Sequence, residues 1–233
     1  AGGAMNKALA DGAAIGGGKN NTAEGNMSSI AGGAYNETVG AHSAVTGGFN
    51  NLATGQHSAI LGGVNNIANG QAAIAMGSTA IASHDNTFVF GTGTSLTELG
   101  TEFSSSQAGE FAAEAVGGVR FVTGYTGFGG SVGSFLAPGS GTWDSLSDRN
   151  AKTELLEVDP ADALQKVLAL PLYTWRYRTE DAGIRHLGPM AQDFHAQFAL
   201  GRGNTTISTV DADGVSFAAI QGLHGELLKL RKE

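Results

Sequence analysis

The sequence predicts a mainly β N-terminal region followed by an α+β C-terminal domain that ends in a coiled-coil helix. Three observations support this prediction: a glycine-rich repeat near the N-terminus, an abrupt rise in charge density at Ser147, and an apolar seam in the last helix. They divide the chain into residues 1–91, 92–146 and 147–233, which we interpret as repeats, a β-rich connector and a separate compact domain.

Glycine and charge are distributed unevenly along the chain. Residues 1–146 hold 30 of the 37 glycines and carry 3 basic and 9 acidic side chains, a net charge of −6. Residues 147–233 carry 10 basic and 12 acidic side chains, a net charge of −2. Nucleic-acid binding is not expected, because it draws on clustered lysine and arginine. No apolar run approaches the roughly 18 residues of a membrane span, and without cysteine there are no disulfides or thiolate metal sites.

A repeat of 15 residues organises the first region. It places asparagine, glycine and small or branched apolar residues at equivalent positions: Asn21, Asn36, Asn51 and Asn66; Gly25, Gly40, Gly55 and Gly70; Ile15, Ile30, Val45 and Ile60. The period then drops to 14 at Ile74 and Phe88. One such unit is too short to bury its inner face, so successive units are expected to stack into a thin solenoid. The asparagines should then form a ladder, amide over amide.

The repeat resembles the YadA-like head repeats of trimeric autotransporter adhesins. Their unit is similar to Asn-Asn-x-Ala-x-Gly-x-x-Ser-x-Ile-x-Gly-Gly, which occurs with small departures at 50–63 and 65–77. The resemblance implies a left-handed parallel β-roll in which three chains pack side by side, so the expected partner is the chain itself, as a homotrimer. It implies no ligand.

Two histidines, His42 and His57, occupy equivalent places one repeat apart and raise the question of a metal site. No third ligand recurs, because Met27 and Ala72 fill the neighbouring equivalent positions. We therefore interpret the pair as solvent-facing polar residues, and we predict neither a metal nor another cofactor.

The repeat register is lost after Gly91. Residues 94–106 are rich in serine and threonine and suggest a loop, whereas 118–124 alternates as a strand between glycines. We expect short strands contributed to an interwoven trimeric β stalk. Trp143 is interpreted as ordinary aromatic packing at the junction rather than as an anchor for the chemistry described next.

A serine and a lysine five residues apart, Ser147 and Lys152, lie at the boundary of the charge change. A serine hydroxyl becomes a good nucleophile only when a base takes its proton, and a lysine serves as that base only when burial lowers its pKa. Neither a helix nor a strand brings side chains at this spacing together, so residues 148–151 must turn. The Leu146 carbonyl is covalently adjacent to Ser147. The alternative is that Ser147 or Asp148 caps a helical turn while Lys152 lies in solvent.

The residues behind this pair look like the endosialidase-type intramolecular chaperone domain of phage tail spikes, tail fibres and some bacterial surface proteins. The matching landmarks are Ser147-Asp148 with Lys152, the helix 160–169, the aromatic strand 173–177, the segment 185–192, and Val210-Asp211 with Asp213-Gly214 ahead of a final helix. The resemblance implies that Ser147 is the nucleophile, Lys152 its partner, and Leu146–Ser147 the broken bond, with Asp148 completing a Ser-Asp pair. His186 and Gln192 would orient the site. For His186, a hydrogen-bonded structural role is an equal alternative.

The third region has its own local signals. Asp159 is a good N-cap and Pro160 a good first helical residue, and Pro171 stops that helix. A second short helix is predicted over 190–198. The last helix carries an apolar seam at a/d-type spacing, which we interpret as a three-stranded coiled coil, with packing on its own domain as the alternative. The seam residues are Phe217, Ile220, Leu223, Leu227 and Leu230.

Three functions follow from these patterns. The first is a homotrimeric fibre or adhesin segment, at a phage virion tail or a bacterial surface, whose C-terminal domain registers three chains and then cleaves itself at Leu146–Ser147 in a single turnover. The second is a head that binds a host-cell glycan or protein receptor, with cleavage incidental. The third, a glycan-degrading enzyme, is least favoured, because paired carboxylates are few in 1–146 and concentrate in 98–114.

Overall fold

The computed structural model describes residues 2–93, 102–125 and 131–232. Contacts divide the chain into two compact units, 1–151 and 152–233. The connector 92–146 thus shares a unit with the repeats, and the division falls five residues after the boundary placed by charge density.

The first unit contains a solenoid in which, among the described residues, fourteen short strands alternate between two parallel sheets. Odd-numbered strands form one sheet, here the odd sheet, and even-numbered strands form the even sheet. The strands are β1 (Lys7–Ala8), β2 (Ala14–Ile15), β3 (Thr22–Ala23), β4 (Ser29–Ile30), β5 (Glu37–Thr38), β6 (Ala44–Val45), β7 (Leu52–Ala53), β8 (Ala59–Val64), β9 (Ile67–Ala68), β10 (Ile74–Ser78), β11 (Ala80–Ala82), β12 (Phe88–Gly91), β13 (Phe103–Ser104) and β14 (Phe111–Ala113).

The core is a narrow stack of small and branched side chains. Ile30, Val45 and Ile60 point inward from the even sheet and are 0–1% exposed, and Ala23 and Ala53 meet them from the odd sheet. Such residues leave little apolar volume per coil. The predicted thin solenoid of stacked coils is therefore confirmed.

The predicted asparagine ladder is present and buried. The side-chain oxygen of Asn21 accepts from the backbone N–H of Asn36 at 3.0 Å and from its Nδ2 at 3.1 Å, and the pattern repeats from Asn36 to Asn51 and from Asn51 to Asn66. It ends where Asn66 Oδ1 accepts from Ala80 N. Between coils the backbone approaches so closely that a Cβ on Gly33, whose φ is +87°, would collide with the next coil's carbonyl.

A second polar pair stabilises only one coil. Thr38 Oγ1 donates to Ser28 Oγ at 2.9 Å, and both side chains are buried. At the next two coils the threonine is replaced by Ala53 and Ala68. The hydroxyls of Ser43 and Ser58 consequently have no hydrogen-bond partner among the residues that the structure describes.

Parallel strand pairing extends past Gly91, where the sequence register is lost. Strand β13 pairs with β11 and β14 with β12, both in parallel, so the solenoid continues to Ala113. Phe88 lies opposite Phe111, which makes this coil 23 residues long (111 − 88) instead of 14. The longer coil hides the period. Of the loop predicted over 94–106, residues 94–101 lie outside the described ranges, and Phe103–Ser104 is strand β13.

The rest of the connector is an antiparallel meander of β15 (Val119–Tyr125), β16 (Ser131–Leu136) and β17 (Trp143–Ser145). It includes the strand predicted over 118–124. These strands pair with one another within one chain, whereas interweaving between chains stays a prediction. Trp143 is half exposed, and its ring centre lies 5.7 Å from that of Phe121.

The second unit contains α1 (Pro160–Ala169), β18 (Tyr173–Trp175), β19 (His186–Gly188), α2 (Ala191–Phe198) and α3 (Thr209–Leu230). The Asp159 side chain caps α1 by accepting from Ala161 N at 2.9 Å, as predicted. Helix α1 packs on α3, where a Cβ on Gly222 would collide with the Pro160 carbonyl. Val210-Asp211 and Asp213-Gly214, both expected ahead of the last helix, lie inside α3. Within the described ranges no helix is long and apolar enough to cross a membrane.

Candidate active site

The segment with the predicted nucleophile is short and irregular. Ser147 follows β17 by two residues and precedes a 3-10 helix, Arg149–Ala151, and Lys152 comes directly after that helix. The expected turn over 148–151 is therefore present.

Asp148 holds this turn. Its Oδ1 accepts from Asn150 N at 2.9 Å and from Asn150 Nδ2 at 3.2 Å, and its backbone carbonyl accepts from Ala151 N at 3.1 Å. A turn in which an acidic side chain accepts a hydrogen bond from the backbone N–H two residues later is a common local motif. Asp148 thus acts as the cap of a helical turn, and this role is compatible with a nucleophile placed just before it.

Solvent exposure is the main electrostatic feature of the site. All residues from 141 to 159, including Leu146, Ser147 and Lys152, are exposed in the single chain. A lysine that serves as a base must be desolvated. The burial that the Ser/Lys hypothesis requires is therefore not supplied by the fold of one chain.

The N-terminal side of the Leu146–Ser147 bond borders a groove of about 270 Å³ in the β15–β17 meander. Arg120, Phe135 and Asp144 lie side by side across the three strands, and the Arg120 guanidinium lies 5.3 Å from the centre of the Phe135 ring. The groove is lined by Arg120, Phe121, Ser131, Gly133, Ser134, Phe135, Asp144, Ser145 and Leu146. The residues just before the Leu146–Ser147 bond therefore continue from strand β17 along this groove.

His186 belongs to a cluster inside the second unit. Its Nε2 lies 3.0 Å from both carboxylate oxygens of Glu180, and its ring packs 4.6 Å from the Trp175 ring, its partner across β18 and β19. The backbone N–H of Tyr177, and then the bond to His186, hold the pKa of Glu180 below its usual value, although burial opposes them. A hydrogen-bonded structural histidine fits these contacts, and an orienting role stays a prediction. Gln192 is exposed at the second residue of α2.

Sequence reasoning missed Glu180 and Arg120. Glu180 lies in a turn after the aromatic strand and pairs with His186 six residues on, a spacing that matches no regular motif. The sequence pattern places Arg120 only within the strand predicted over 118–124. Its position in the row with Asp144 depends on strand register, which a single sequence does not specify for so short a meander.

The histidine pair of the repeats is also in place. His42 and His57 stack with ring centres 5.1 Å apart and are both exposed. In the part of the chain that the structure describes, no group of three or more His, Cys, Asp or Glu side chains could hold a metal ion.

Together these features define a class: a β-solenoid and meander followed by a separate α+β unit, with an exposed serine-containing turn at the junction. Residues 147–199 match the family model Peptidase_S74, whose description is chaperone of endosialidase. The match starts at Ser147 itself and ends just after α2. It supports an intramolecular chaperone role for this region and autoproteolysis in general. No curated protein matches the chain.

Proposed function

We propose that this chain is a segment of a homotrimeric fibre or adhesin whose residues 147–233 align three copies and then separate by cleaving Leu146–Ser147. The proposal depends on one observation: the family match begins at Ser147, the serine that precedes the Asp148 turn. The occurrence of the family's domain in phage tail proteins favours a virion tail over a bacterial surface.

The chemistry is an acyl shift followed by hydrolysis. Ser147 Oγ attacks the Leu146 carbonyl carbon while Lys152 accepts the hydroxyl proton, and the C–N bond breaks as that proton passes to the Ser147 amine. The resulting ester between Leu146 and Ser147 then reacts with water to give a Leu146 carboxylate and the free hydroxyl. Asp148 acts as a positioning residue because it holds the turn between the two groups.

Exposure of the junction suggests when the reaction occurs. One chain leaves Ser147 and Lys152 exposed, so the desolvation that activates a lysine must come from assembled copies. Cleavage then follows trimer formation, and removal of the aligning domain makes the product kinetically stable, because the route back is lost.

The trimer itself is supported by the last helix. One face of α3 packs on α1 through Ala219 and Gly222. The seam residues Phe217, Ile220 and Leu227, on another face, are 50–68% exposed. Exposed leucine, isoleucine and phenylalanine at a/d-type spacing are typical of a coiled-coil seam, and we propose that three α3 helices bury it together.

Denaturing gels and intact-mass spectrometry test the proposal. We expect the parent chain to give two fragments split between residues 146 and 147, and Ser147→Ala and Lys152→Met to stay full length. Thr153→Ala, an exposed hydroxyl residue directly after Lys152, is the matched control and should cleave normally. Cleavage of the Ser147→Ala chain at the same bond would rule out this serine as the nucleophile.

A receptor-binding head is the second candidate, favoured by an exposed aromatic pair on the solenoid. Tyr35 and Phe49 are each 48% exposed and pack edge to face at 5.4 Å. Aromatic faces of this kind provide contact area for glycans or proteins. Loss of glycan-array or cell binding in Phe49→Ala, but not in Val39→Ala, would support it, and equal binding by both variants would contradict it.

A further inference from the structure

The outer face of the even sheet differs from every other strand surface of the solenoid. Side chains that alternate with the buried core residues form two columns along the seven strands, and the strand register connects the first column without a break from β2 to β14. The first column is Ala14, Ser29, Ala44, Ala59, Ile74, Phe88 and Phe111, and the second is Gly16, Ala31, Thr46, Leu61, Met76, Phe90 and Ala113. Neither column contains a charged residue.

The corresponding outer face of the odd sheet does carry charge. Its columns include Lys7, Glu24 and Glu37 within the first three coils. Residues 1–146 have a net charge of −6, so identical copies repel each other wherever acidic side chains meet. On the outer face of the even sheet, two copies can approach without facing like charges.

We infer that the outer face of the even sheet is the surface by which copies of this chain pack, and that its change in side-chain size sets their axial register. This inference rests on the proposed trimer and names the face that forms it. It does not depend on the cleavage chemistry.

Side-chain size increases along the first column of this face. The first four residues of the first column are alanine or serine, and the last three are isoleucine and phenylalanine. Phe88 and Phe111 stack with ring centres 5.3 Å apart, and Phe111 is 70% exposed. In parallel copies at the same height, small residues oppose small ones and allow close approach, while large residues oppose large ones.

A slip or a reversal breaks this match. Moving one copy by a single coil, a step of about 4.8 Å, sets Ala59 against Ile74 and leaves unfilled volume beside it. An antiparallel arrangement sets Phe111 against Ala14. Each mismatch forfeits packing contacts at several heights at once. The repeats alone specify the alignment of neighbouring copies only weakly. The change in side-chain size would fix both their axial register and their parallel orientation.

Disulfide trapping in the full-length chain tests the face, since the protein contains no cysteine of its own. We expect Ala44→Cys, on the even sheet, to give a same-position disulfide between copies under mild oxidation. Thr22→Cys, at an outward position of similar exposure on the odd sheet, should give none. A trimer that cross-links at Thr22→Cys but not at Ala44→Cys would overturn the inference and leave the proposed function standing. A single-chain mass in light scattering would instead contradict the trimer.

The register role has its own test. Adding Phe88→Ala and Phe111→Ala to the Ala44→Cys chain should lower the yield of the same-position disulfide severalfold while the trimer mass is kept. Leu52→Ala with Ile67→Ala removes outward apolar side chains from the odd sheet and should leave the yield unchanged. Circular dichroism verifies that both variants keep the solenoid. An undiminished yield in the phenylalanine variant would overturn the register role.

Discussion

The two units of this chain bury their apolar side chains to very different degrees. In the solenoid, Ile30, Val45 and Ile60 are almost completely buried within one chain. In the second unit, Leu156 is 88% exposed, Leu187 74% and Phe217 68%. The solenoid thus buries a continuous core within one copy by repetition and by amide hydrogen bonds, whereas among the described residues of the second unit the only large apolar side chains that one copy buries are Leu164 and Phe194. Exposed apolar area of this kind marks an interaction surface.

The comparison predicts that the solenoid is most sensitive to loss of its amide ladder. Asn51→Ala should cost about 3–5 kcal/mol of unfolding free energy, because it removes the Nδ2 that donates to Asn36 Oδ1 and to two glycine carbonyls, and the Oδ1 that accepts from Asn66. Chemical denaturation followed by circular dichroism measures it. Asn69→Ala, an exposed asparagine, is the control. Equal destabilisation by both variants would show that a ladder asparagine contributes no more to stability than an exposed asparagine does.

Substitutions in the exposed seam of the second unit should instead change the oligomeric state. Leu227→Asp places a charge in the exposed seam of α3 and forfeits about 2 kcal/mol of apolar burial per copy in a trimer. We expect a shift from three chains to one in light scattering, with the helix content retained. Gln221→Asp, an exposed polar position on the same helix, should keep the trimer. If Leu227→Asp remains trimeric, the seam is not the contact.

A smaller effect on stability is expected from the hydrogen bond between Thr38 and Ser28 in one coil of the solenoid. Thr38→Ala should cost about 1–2 kcal/mol, since it leaves the buried Ser28 hydroxyl without its partner. The double variant Thr38→Ala with Ser28→Ala should recover part of the loss, because no orphaned hydroxyl remains. Denaturation midpoints of the parent and the two variants make the comparison. A double variant less stable than Thr38→Ala would contradict the assignment of this bond.

The smallest expected effect concerns pH and the cluster in the second unit. The pKa of Glu180 is lowered by the Tyr177 N–H and His186, so its stabilising contribution is complete above the unfolded carboxyl pKa and is lost as the pH falls through the folded value. Glu180→Gln should flatten the acid limb of a stability–pH curve. Glu157→Gln, an exposed carboxylate, should not. If the parent and Glu180→Gln have identical acid limbs, the Glu180 carboxylate does not contribute to the pH dependence of stability.

Features that repeat in the sequence were predictable. Asparagines at intervals of 15 residues imply one position per coil, and the ladder follows because a buried amide needs the amide above it. The extension to β14 was not predictable, since a coil of 23 residues breaks the interval from which the solenoid was inferred. The turn at Asp148 followed from spacing alone. The contact between Glu180 and His186 did not, because it depends on how a hairpin closes.

The ladder also has a polarity with a consequence for biosynthesis. Each new coil delivers a backbone N–H and an amide nitrogen to the oxygen of the asparagine before it, as Asn36 does to Asn21. A ribosome releases the chain in the same direction, so every emerging coil finds its acceptor already in place. The coils can therefore form while translation continues, before α3 is released. In the proposed trimer, alignment would then act on folded solenoids rather than on unfolded chains.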